Sequence, residues 1–224
     1  MGGEAIPSVM RDPTRLILAT ESERLPPRVH VTGFHSLTTY NPIQALKDAG
    51  LWIGPRELLE ARPAYRQIIP YVVVRVQNRF LRYTRTVAGN ESRLHGRMSI
   101  GLGGHVDLSD VICDGDRIDL EATINKASDR ELTEELGNLT YLSRDWIGTI
   151  IDNETDVGRV HVGVVAVWEL QKLPASVEDA IGDVSLCSLD EIEAAKSRLE
   201  RWSEMLLAPL ANYFYGAAGN VRAA

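Results

Sequence analysis

Apolar residues along this chain follow two spacings, and the two alternate. Ile68–Gln77 and Phe80–Thr86 are rich in Val, Tyr and Phe and flank Asn78-Arg79, which predicts a β-hairpin. Pro70 cannot donate to a ladder, so it belongs near a strand start or edge. Met98–Leu102 reads as the next strand and delivers two glycines to a loop. Trp146–Ile151 and Arg159–Leu170 follow as strands, joined by a polar turn over 152–156. Within the second, Val160, Val162, Val164 and Ala166 alternate with His161, Gly163, Val165 and Val167, the pattern of a strand covered on both faces.

Helical spacing fills the intervals. Asn41-Pro42 starts a helix with a cap and a first-turn proline, and Gly50 ends it. Gly54-Pro55 opens a second, short helix closed by Pro63. Residues 130–137 form a helical end that stops at Gly137. Ser188-Leu-Asp-Glu191 is a capping box, opening a helix through Ile192, Leu199 and Trp202 to about Ala208, before Pro209. At the N-terminus, Leu16-Ile-Leu-Ala suits a single edge strand, and 29–40 has β-type composition with weak period. Residues 216–224 are small and read as a frayed tail. Strands, a long helix, more strands and a last helix predict an α/β fold, a mixed sheet with helices on both faces.

Composition narrows the function classes. The chain has 224 residues, 44% hydrophobic and 25% charged, enough for one domain with extensions. A net charge of −7 argues against a nucleic-acid partner but leaves a nucleotide substrate open, since local cations can reverse the field inside a cleft. The longest apolar runs, near 68–74 and 162–168, are too short to span a bilayer, so no membrane partner is expected. Cys113 and Cys187 sit in no metal-ligand spacing; free thiols or a disulfide both fit. The start Met-Gly-Gly-Glu-Ala is not a signal peptide, and a cytoplasmic location is expected.

The chemistry concentrates in Arg130-Glu-Leu-Thr-Glu-Glu-Leu-Gly137. Glu131, Glu134 and Glu135 fall at i, i+3 and i+4, on one helical face. Like charges at this spacing destabilise a helix by a few tenths of a kcal/mol per pair. A hard divalent cation with oxygen ligands would offset that repulsion, and a solvated acidic face is the plainer alternative. Gly103 and Gly104 allow close backbone approach and unusual φ. His105 is either a hydrogen-bonded structural group or a contact to substrate phosphate or a metal-bound water. Arg75, Arg79, Arg82, Arg85, Arg93 and Arg97 make the hairpin region basic; Arg85 and Arg93 are candidate phosphate-gripping residues, or solvated ones. Glu154, in the turn, is a reserve candidate for a catalytic base.

Arg130–Gly137, with Gly103-Gly104-His105-Val106 upstream, resembles the Nudix box. Gln67-Ile-Ile-Pro-Tyr, Ser99-Ile-Gly-Leu-Gly-Gly-His, Val157-Gly-Arg-Val-His-Val-Gly and Trp202-Ser resemble a bacterial branch of predicted phosphoesterases. The resemblance implies a Nudix-type α/β/α sandwich over 67–215, with 1–66 an extension that packs on the core or forms a dimer contact or lid, and 216–224 a tail. It implies Mg²⁺ or Mn²⁺ held by Glu131, Glu134, Glu135 and the Gly104 carbonyl, with Arg130 orienting the carboxylates. It implies hydrolysis of a diphosphate bond in a small phosphorylated compound, often a nucleotide derivative, in a chain that can form a homodimer. The alternative is a Nudix-fold binding or regulatory module; isomerase chemistry lacks a catalytic cysteine in a core motif.

The chain departs from the box in one respect. Residues 105–129 separate Gly104 from Arg130, about a dozen more than the family pattern. The position that should carry a glutamate to hold Arg130 is Ala122, with Glu121 one place off. The inserted loop is acidic, lacks EF-hand order and reads as a flexible lid.

Overall fold

The computed structural model describes residues 15–37, 41–86, 95–173 and 181–216. Strand β1 (Leu16–Glu21) is followed by β2 (Gly33–Ser36), helix α1 (Pro42–Ala49), β3 (Leu51–Pro55) and α2 (Arg56–Glu60). The expected hairpin is β4 (Tyr65–Val76) and β5 (Arg79–Arg85), turning at Gln77 and Asn78 with φ of 48° and 66°, a turn matched to strand twist. Then come β6 (Met98–Ser99), β7 (Gly101–Leu102), the small hairpin β8 (Cys113–Asp114) and β9 (Arg117–Ile118), and α3 (Leu120–Leu136). The chain continues with β10 (Tyr141–Ile151), α4 (Asp156–Arg159), β11 (His161–Leu170), β12 (Ile181–Cys187), α5 (Leu189–Ala194) and α6 (Arg201–Tyr215).

The main sheet runs β12-β5-β4-β11-β10-β2, with β1 and β7 also paired to β4, β3 to β1 and β6 to β5. Only β4 and β11 pair in parallel among the described strands, so the sheet is mixed. One face packs Leu46 and Ala49 of α1 and Leu120, Ile124, Ala127, Leu132 and Leu136 of α3. Those α3 positions recur every three to five residues and give one buried stripe. The opposite face packs Ile192 of α5 and Leu206, Leu207 and Leu210 of α6. The α/β/α sandwich expected from the sequence is the observed architecture, a mixed sheet with helices on both faces.

Several local expectations are corrected. Leu16–Glu21 is not an edge strand, since it lies between β3 and β4. The N-terminal segment therefore threads strands into the sheet itself. Pro70 lies mid-strand: β1 pairs β4 through Gln67 and β7 pairs it from Val72, so the proline falls in the gap between two short neighbours. Met98–Leu102 splits at Ile100, pairing first with β5 and then with β4. The long C-terminal helix is two. Leu199 bridges to Met98 and Glu200 N–H donates to the Met98 carbonyl, breaking the run before α6. Pro209 then sits inside α6, which continues to Tyr215 as Phe214 packs on Phe80 and under Arg75.

Candidate functional site

Loop 103–105 fills the gap beside Pro70, and its glycines are required for room rather than for φ. A Cβ on Gly103 would fall 1.9 Å from the Pro70 carbonyl oxygen; one on Gly104 would fall 2.3 Å from the Glu131 carboxyl carbon. The two obstacles differ in kind: the first is backbone, the second the end of a flexible side chain. Gly103→Ala is therefore expected to unfold the loop and lower the melting temperature by several degrees. Gly104→Ala should leave stability within about 1 kcal/mol and displace Glu131. Thermal melts and activity assays of both variants separate the two effects.

Helix α3 presents the acidic groups. Asp119 caps it by accepting from Ala122 N–H, and Gly137 ends it at φ 80°. Arg130 is the hub. Its Nη1 donates to Glu131 Oε1 at 2.7 Å, and its Nη2 donates to the His105 carbonyl at 2.9 Å. The same guanidinium donates from Nε and Nη2 to Asp110 at 3.0 and 2.8 Å. Asp110 has a side chain 2% exposed and also accepts from Asp107 N–H at 2.9 Å. Asp107 in turn accepts a two-pronged bond from Arg15, at 2.5 and 2.6 Å.

The inserted loop is thus no flexible lid. It holds a 3-10 turn over Leu108–Asp110, the β8–β9 hairpin, and a buried carboxylate locked to Arg130. Glu121 is exposed; the partner role falls to Asp110, twenty residues before the arginine. Only the loop's acidity hinted at this in the sequence.

Of the three glutamates, Glu131 is 13% exposed, and burial pushes its carboxyl up from the ordinary range while Arg130 pulls it partly back. Glu134 is 56% exposed and reaches Arg130 only at 3.4 Å. Glu135 is half-buried, on the side where its charge reaches Tyr83. Among the described residues no three His, Cys, Asp or Glu side chains are set to hold a metal. Arg130 draws Glu131 to itself instead.

The other candidates are dispersed. His105 Nε2 lies 2.8 Å from Gln67 Oε1. Arg85 donates from Nε to Glu200 at 2.8 Å, so its charge compensates a carboxylate that is almost fully buried. Glu200 also accepts from Tyr71 OH at 2.9 Å and Ser99 Oγ at 2.6 Å. Glu154 is exposed and ion-paired to Arg201. Arg93 lies outside the described residues. Cys113 and Cys187 are free thiols.

No protein-family model matches the chain. Over 158 residues, 66% of this chain and 72% of the relative, it is 31% identical to Protein YmaB of Bacillus subtilis (strain 168). Its fold matches that of Tm1382, described as a Nudix hydrolase, at a TM-score of 0.72 and 26% identity, over 89% of this chain and 100% of that one. The chain belongs to the Nudix superfamily. DR0079 from Deinococcus radiodurans shares the fold at a TM-score of 0.51 and 16% identity, covering 73% of this chain and 93% of that one.

Within this Nudix protein, the quoted motifs gather at two places. Tyr71, Ser99 and Ser203 surround Glu200, and Trp202 meets Tyr71 edge-on at 5.5 Å. Gly163 makes room for that indole: a Cβ there would lie 2.8 Å from the ring. Gln67, His105 and His161 meet beside Gly104. Among the described residues no helix is long and apolar enough to cross a membrane.

Proposed function

We propose that this Nudix protein is a Mg²⁺- or Mn²⁺-dependent hydrolase of a phosphoanhydride bond in a small phosphorylated compound, a nucleoside diphosphate linked to a further group being the favoured class. The observation that carries this reading is the corner where the Gly104 backbone fits against the Glu131 carboxylate, with one arginine gripping both Glu131 and the neighbouring His105 carbonyl. The donor set suits a hard cation, being all oxygen: carboxylates of Glu131, Glu134 and Glu135 and the Gly104 carbonyl. When bound, the cation neutralises phosphate oxygens and lowers the pKa of a coordinated water. Arg130 orients Glu131. A carboxylate oxygen of this helical set accepts the proton of the attacking water.

Glu131 is already hard to ionise because it is buried, so a cation at this corner should stabilise the fold. Millimolar Mn²⁺ is expected to raise the melting temperature by a few degrees, and EDTA to abolish turnover. The functional test is release of phosphate or nucleotide from a panel of phosphoanhydrides with and without Mg²⁺. Metal-dependent release from at least one compound is expected. Metal-independent binding without release from any of them would favour a Nudix-fold binding module.

A further inference from the structure

Three polar side chains gather beside the Gly104 corner. Gln67 and His161 are register partners in the parallel pair β4·β11, so their side chains leave the sheet on one face. Loop 103–105 brings His105 onto the same cluster, with its Nε2 2.8 Å from Gln67 Oε1 and its ring 5.5 Å from that of His161. His161 Nδ1 lies 2.6 Å from the Val157 carbonyl oxygen. A carbonyl only accepts, so that nitrogen carries a proton and the ring orientation is fixed. Both histidines are half-buried and reach the surface, while Gln67 beneath them is fully buried.

The buried Gln67 Nε2 has no hydrogen-bond partner. Exchanging the amide's oxygen and nitrogen changes which atom is left over, not the fact that one is. Buried polar atoms are almost always paired, so an orphan directly beneath two surface-reaching histidines marks a place that a ligand completes. The cluster contributes two imidazoles and an amide and no carboxylate, a composition that suits an anion. The glutamates of α3 make the adjoining corner acidic, and a diphosphate lying there needs donors on the side away from the cation.

We propose that Gln67, His105 and His161 form a phosphate-oxygen subsite that takes the diphosphate portion of the substrate next to the Gly104–Glu131 corner. This rests on the phosphoanhydride reading above. The Gln67 amide donates to non-bridging oxygens with the hydrogens that no protein group accepts, held by His105 Nε2–H on its carbonyl oxygen, and His161, its Nδ1–H committed to Val157, donates from Nε2 as the imidazolium. The subsite acts on binding and orientation, not on the water.

The test is calorimetric titration of the full chain with methylenediphosphonate, a diphosphate that cannot be hydrolysed, with and without Mg²⁺. His161→Phe keeps a ring against His105 and removes the nitrogens; Gln67→Leu keeps the buried volume and removes the amide. Melting curves confirm that each is folded, and Mn²⁺ titration reads the metal corner separately. The expected result is diphosphonate affinity at least tenfold weaker in His161→Phe and in Gln67→Leu, with Mn²⁺ affinity within twofold of wild type. Should Gln67→Leu not fold, His161→Phe decides alone. Wild-type diphosphonate affinity in folded His161→Phe overturns the subsite and leaves the hydrolase reading standing. Failure of the wild-type protein to bind the probe with Mg²⁺ present overturns both.

Discussion

Glu135→Gln is expected to lower kcat by about 10³-fold, which corresponds to roughly 4 kcal/mol of transition-state stabilisation. The substitution keeps the shape of a half-buried side chain on α3 and removes its charge. Glu135 differs from its neighbours in environment. Arg130 engages Glu131 at 2.7 Å and touches Glu134 at 3.4 Å, whereas Glu135 turns toward Tyr83, whose phenol is pushed up by burial. It is therefore the carboxylate of the three whose position owes least to the arginine. Steady-state assays with whichever anhydride the panel selects, beside a melting curve, check the expectation. A folded Glu135→Gln enzyme retaining wild-type kcat would remove this residue from the reaction.

Asp110→Ala should be the most damaging change outside the box. The carboxylate is buried and receives Nε and Nη2 of Arg130 together with the Asp107 N–H. Removing it leaves a partly buried guanidinium short of a partner, at a cost of roughly 3 kcal/mol. It also frees the arginine that positions Glu131 and the His105 carbonyl, so kcat should fall by about 10²-fold, in the range seen when one positioning contact is lost. Urea unfolding reads the first effect and kinetics the second. A cycle with Arg130→Met should show strong non-additivity, because either single change already breaks the pair. Additive losses would mean that Asp110 acts without the arginine.

The box glutamates and Gly104 could be located from sequence because they lie on one turn of one helix and one tight loop, where local spacing fixes geometry. Asp110 could not. It reaches Arg130 only after an insertion folds back on α3, and nothing local distinguishes it from the other acids of that loop. The same holds for residues 188–208, whose spacing reads as one helix. The break before α6 comes from contacts with Met98, a hundred residues earlier, and from Glu200 turning inward to Tyr71, Ser99 and Arg85. Strand β12 escaped notice because a bulge between Gly182 and Ser185, with Asp183 at φ 50°, interrupts its alternation. Arg85 read equally as a phosphate-gripping or a solvated residue because its charge was visible in the sequence and its partner Glu200, 115 residues later, was not. The motifs at Gln67, Tyr71, Ser99, His105, His161 and Trp202 were visible singly. Their grouping into two clusters is a property of the sheet register and of the gap beside Pro70.

On the proposed reading a divalent cation binds at the Gly104 corner, drawn there by glutamates of which Arg130 otherwise holds Glu131. Anomalous diffraction from crystals soaked in Mn²⁺ tests it most directly. One strong peak is expected, bonded to the Gly104 carbonyl and to carboxylates of Glu131, Glu134 and Glu135, with Glu131 swung off Arg130. A fully soaked crystal with no peak at that corner, and Glu131 still paired to Arg130, would contradict it.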